Sequence, residues 1–134
     1  MKLAYTIEKM ELKDKIEALK NDIALSKGAV QAQIDELVQD GRPDDAKAYR
    51  AAYNIYDVFV ALIETAEKKA AVEASADEDA VFVQEFTKLA TNIPARWRAT
   101  LEQARKFNDA EKIMIEEAKL QSVDAIMAKF EELF

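Results

Sequence analysis

At 134 residues and a net charge of −7 (19 basic, 26 acidic), the chain fits one domain, 1–134. That charge disfavours general binding to nucleic acid, which needs a positive surface to displace counterions. The chain has no cysteine and no histidine, which excludes disulfides, thiolate chemistry, nitrogen–sulfur zinc sites and histidine-activated nucleophiles. With two glycines, two prolines, 50% hydrophobic and 34% charged residues, the expected fold class is all-α: an antiparallel bundle of four to five helices joined by short loops.

The first element is read from Leu12, Ile16, Leu19, Ile23, Val30 and Leu37, which fall on one heptad seam with Ser26 and Gln33 in the skipped slots. Because the step from Ile23 to Val30 to Leu37 runs through Gly28, the pattern predicts a long N-terminal helix over 5–39. The competing reading is two helices with a break at 26–28. A helix of about 35 residues would overhang its neighbours and offer a homodimer through that seam. Lys13, Lys20 and Lys27 flank the seam at sevens, where coiled-coil residues pair with a partner helix in the same chain or in a second copy.

Gly41 and Pro43 suit a helix stop and a helix start. They introduce a second helix over 44–74 with Asp44 and Asp45 in its first turn. Ala52, Ile55, Tyr56, Phe59, Val60, Leu62, Ile63 and Ala66 cover about half its circumference, which predicts the central helix. Tyr49, Tyr53 and Tyr56 share one edge. Tyr56 lies within the apolar face; Tyr49 and Tyr53 lie on its rim, either packing with their hydroxyls in water or forming an aromatic binding ridge.

Ser75 followed by Glu78 resembles a capping box and opens a third helix over 76–91, with Val81, Phe82, Phe86, Leu89 and Ile93 expected on one apolar side. Asn92–Ile93–Pro94 is expected to end it, since proline disfavours helical geometry in the residue before it. A fourth helix then covers 94–107 with Trp97, Leu101 and Ala104 inward. The phase changes near 108, where Asn108 and Glu111 suggest a cap, and a last helix runs to 133.

The chemistry-bearing stretch is NIPARWRATLEQARK, 92–106. It holds the only tryptophan, Trp97, between two of five arginines. Residues 86–107 contain Lys88, Arg96, Arg98, Arg105 and Lys106 against Glu102, a net of +4 inside an acidic chain. One reading makes Trp97 a core anchor whose neighbours face water, with Arg98, Glu102 and Arg105 forming an exposed charge ladder. The other puts Trp97 at a rim with Arg96 stacked on it, as an interface hot spot. The candidate partner-binding residues are therefore Arg96, Trp97, Arg98, Arg105, Tyr49 and Tyr53.

The acidic doublets Asp44–Asp45, Glu116–Glu117 and Glu131–Glu132, and the triplet 77–79, are read as caps and solubilising charge, because helical neighbours diverge by about 100°. No catalytic residue, cofactor or metal is expected. A deep pocket holding Arg50 or Arg96 beside Tyr49 or Tyr53 would favour an enzyme or ligand sensor instead. No apolar run approaches the roughly 18 residues of a membrane span, and no leader precedes the first helix, so a cytoplasmic location is expected. The expected function is a non-enzymatic protein–protein interaction module (adaptor, assembly or regulatory protein). The alternative is a small acidic inhibitor, of the anti-defence kind, that covers a basic and nucleic-acid-binding site on a partner.

Overall fold

Two corners built on left-handed residues divide the chain. Gly41 adopts φ 71 after the first helix, and Asn108 adopts φ 54 before the last. At the first corner Gly41 N–H donates to the Val38 carbonyl and Arg42 N–H to Leu37; at the second, Asn108 donates to Arg105 and Asp109 to Ala104. Both are Schellman closures, which satisfy the orphan carbonyls of the ending helix. Pro43 then occupies the first turn of the following helix in one case, and Asp109 caps it in the other. Asn108 therefore ends a helix rather than capping the next. The cap is Asp109, whose carboxylate accepts from Lys112 N–H at 3.2 Å.

The computed structural model describes residues 10–73 and 77–134. Among them are four helices and no strand: α1 Leu12–Gln39, α2 Pro43–Val72, α3 Glu78–Lys106 and α4 Ala110–Leu133. They pack against one another, with α2 touching all three others. No helix among the described residues is long and apolar enough to cross a membrane.

Three further sequence expectations are corrected. First, the N-terminal helix does not run from residue 5, because Met10 is in a bend and Glu11 is extended, so α1 starts at Leu12; residues 5–9 lie outside the described residues. Helix α1 does pass unbroken through Gly28, and at 28 residues it does not outreach α2 at 30. Second, the buried line of α1 is Ile16, Leu19, Ile23 and then Ile34. The step from Ile23 to Ile34 follows a straight 3.6-residue helix, not the 3.5 of a supercoiled seam. Gln33 is accordingly exposed, while Val30 and Leu37 are half-buried.

Third, the helices expected at 76–91 and 94–107 are one. α3 continues through Pro94, which is fully buried. The ring removes the donor for the Ala90 carbonyl, but burial of that turn against the core overrides the local penalty. Asp77 caps α3 by accepting from Asp79 N–H at 3.0 Å. The Ser75 half of the anticipated capping box lies outside the described residues.

The core is continuous. Phe59 of α2 meets Phe86 of α3 edge-on, and Phe86 and Phe82 reach Phe130 of α4 and Phe134 at its C-terminal cap, with centroids 4.7 and 5.2 Å apart respectively. Such pairs add to the area each ring removes from water. Ala48 and Ala52 keep α2 slim where the Ser122 hydroxyl of α4 donates to the Ala52 carbonyl at 3.1 Å.

Candidate interaction face

Helix α3 has two unlike sides. Phe82, Phe86, Ala90, Pro94, Leu101 and Ala104 are buried. Lys88, Arg96, Arg98, Arg105 and Lys106 are all exposed. Lys88 and Lys106 point the same way, about five turns apart at 3.6 residues per turn. Between them the exposed residues include the small Ala95 and Ala99, so the middle of this side is low and its cations are long.

Among the described residues, Lys88, Arg96, Arg98 and Lys106 have no carboxylate within 4.0 Å. Only Arg105 is paired, with Glu117 of α4 at 3.2 Å. The ladder expected through Glu102 is thus absent: Arg105 finds a better-placed carboxylate across the helix pair, and Arg98 is left to solvent.

Trp97 lies between its two anticipated positions. It is half-buried against the core, and the cation over its ring is Lys119 of α4, 5.0 Å from the centroid, rather than Arg96. Lys119 also donates to Oε1 of the buried Glu116 at 3.2 Å, while Oε2 lies 3.1 Å from the same nitrogen without hydrogen-bond alignment. Glu116, Lys119 and Trp97 therefore form an internal α3–α4 clasp in which the lysine that neutralises a buried carboxylate also covers the indole.

The tyrosines do not join the α3 side. Tyr56 is buried. Tyr53 receives the Lys27 ammonium 4.8 Å from its centroid, and Lys27 also binds Asp57. That hydrogen bond holds the Lys27 pKa above its ordinary 10.5, against the opposing effect of desolvation. Lys20 lies 3.6 Å from Glu64 and 3.9 Å from Glu67. The flanking lysines Lys20 and Lys27 thus find their partners in α2 of the same chain, and Ile16, Leu19 and Ile23 of the adjoining seam are buried. Arg50 and Tyr53 do share an open groove between α1 and α2, with Gln31 and Asp35. Tyr49 is exposed on α2 and lines neither that groove nor the one on α3.

Among the described residues, a concavity of about 1090 Å³, open to solvent, lies along the last turns of α3 and the corner into α4. Arg96, Arg105, Lys106 and Lys112 line it, with Glu102 and Asp109 the only acids and Phe107 among the apolar contributors. Of the six anticipated residues it brings together Arg96 and Arg105; Arg98 is exposed elsewhere on the same helix. Phe107 and Lys112 were not anticipated. Phe107 could have been found as an aromatic at the phase change near 108, whereas Lys112 joins from the first turn of α4, across the corner.

No protein-family model, curated protein or solved structure matches this chain.

Proposed function

We propose that the protein is a non-enzymatic protein–protein interaction module that docks through the outer side of α3. The observation that carries this reading is the set of exposed cations on α3 that no carboxylate among the described residues answers. Side chains that only balanced internal charge would be paired, as Lys20 and Lys27 are. Long cations around the small Ala95 and Ala99 suit close approach by another chain, and arginine is enriched where interfaces concentrate binding energy. In this reading the four helices alternate in direction. Lys20–Glu67, which joins the early part of α1 to the late part of α2, supports it beside the mid-helix pair Lys27–Asp57, and Lys69–Glu85 and Arg105–Glu117 join the end of one helix to the early part of the next.

The acidic-inhibitor alternative has less support, because the carboxylate clusters have local roles. Asp45 binds Arg42 at 2.7 Å, Asp77 caps α3, Glu116 and Glu117 pair with Lys119 and Arg105, and Glu132 lies 3.3 Å from Lys129.

The test is affinity capture from the source cell's lysate with nuclease present, comparing wild type with Arg96→Glu/Arg98→Glu. A captured protein that disappears with the double variant, while its circular dichroism and melting are unchanged, is the expected result. Equal capture by both forms would contradict docking through α3.

A further inference from the structure

The corner between α3 and α4 carries the interaction-module reading one step further, to the chemistry of the partner. Phe107 ends α3 and is 70% exposed. An aromatic ring so open contributes little to the fold, yet it sits in a groove lined by Arg96, Arg105, Lys106 and Lys112. The helix dipole accounts for two of these cations, since Arg105 and Lys106 lie in the last turn of α3, where positive charge is favoured. It does not account for the others. Arg96 lies well inside the helix. Lys112 lies in the first turn of α4, where the dipole disfavours a cation. A side chain placed against its local rule, beside an exposed aromatic and in a basic groove, marks a site with another purpose.

We infer that this groove takes an acidic segment of a partner protein in which carboxylates flank an apolar anchor: the anchor covers Phe107, and the carboxylates meet Arg96, Lys106 and Lys112. The inference rests on the interaction-module reading. A nucleic acid fits less well. Glu102 and Asp109 lie in the lining, and the −7 chain around it opposes the long uniform approach of a phosphate backbone. A short acidic segment meets the cations locally and brings fewer charges against that acidic surround than a phosphate backbone would. Arginine matches carboxylate geometry in two-point contacts, and an aromatic ring gives contact area at low entropic cost.

The experiment is a titration of isotope-labelled protein, followed by amide chemical shifts at low salt. The probe is a synthetic peptide of glutamates around one phenylalanine; the same peptide with serine for phenylalanine, and a short DNA duplex, are the controls. The expected result is shift changes concentrated in residues 96–112. Affinity should fall about tenfold or more with Lys106→Glu/Lys112→Glu. A smaller loss should follow with Phe107→Ala or with the serine peptide. These positions are exposed, so all variants should remain folded. The inference is overturned if shifts spread over the surface and survive the variants, if the duplex binds as tightly as the peptide, or if the peptide does not bind. Should the peptide fail while lysate capture still depends on Arg96 and Arg98, only the partner's assigned chemistry falls. Should that dependence also be absent, the docking reading falls with it.

Discussion

Helices α1 and α3 both bury one side against the core and both carry a basic series outside it, but the two series have different fates. On α1, Lys20 and Lys27 are answered by Glu64, Glu67 and Asp57 of α2, and Lys27 also covers the Tyr53 ring. On α3, Lys88, Arg96, Arg98 and Lys106 meet no carboxylate among the described residues, and only Arg105 is paired. The contrast separates charge that sets how helices dock from charge that the fold leaves available. Net charge alone hides it, because an acidic chain has carboxylates to spare for both helices.

The largest expected effect would show that α3 is docked as firmly as α1 despite its unanswered outer side. Phe86 is fully buried and touches rings from α2 and α4. Phe86→Ala should therefore destabilise the protein by about 3–5 kcal/mol, measured by urea unfolding. A loss below about 1 kcal/mol would mean that α3 packs loosely and that its outer side cannot be read as a fixed surface.

A smaller effect sharpens the α1 half of the comparison. Replacing Lys27 by Met removes both its ion pair and its ring contact, and should lower stability by about 1 kcal/mol at neutral pH. The sign with pH follows from the raised pKa. The stabilisation is fully present below the ordinary lysine value of 10.5 and is lost as pH rises through the higher folded-state value. Wild type and variant should converge on the alkaline side, and a difference that persists there would assign the loss to packing instead.

The smallest effect concerns the outer side of α1. A Cβ added at Gly28 meets nothing within 4 Å, and the backbone there is helical. Gly28→Ala should raise stability by about 0.5–1 kcal/mol in thermal unfolding. A decrease would show that this surface is covered by something that needs the glycine. Gly41 provides the opposite control, since its φ of 71 strains any Cβ.

Much of the fold was legible in local chemistry. The breadth of the apolar face on α2, the Gly41–Pro43 corner and the change of phase near 108 all reappear as structure. What failed was the use of local rules where tertiary contacts decide. Pro94 forbids a helix only until its ring is buried against the core, and the heptad reading of α1 missed Ile34 because a straight helix drifts from a seven-residue repeat. Asn108 was given the role of its neighbour Asp109 because both residue types cap helices; only the left-handed backbone tells them apart. The candidate site was half legible. A basic island can be counted along the chain, but which cations are paired depends on what faces them. Glu117 reaching Arg105, and Lys119 rather than Arg96 reaching Trp97, are facts of helix packing that no spacing along α3 encodes.

The measurement that tests the account most directly is urea unfolding of two charge-reversal variants side by side, Lys20→Glu/Lys27→Glu and Arg96→Glu/Arg98→Glu, at low salt. The α1 reversal turns attractions across α2 into repulsions, and should cost at least about 1 kcal/mol. The α3 reversal touches no internal partner among the described residues, and should change stability by no more than about 0.5 kcal/mol. Equal losses, or a larger loss from the α3 reversal, would show that the cations of α3 belong to the fold and are not left for a partner.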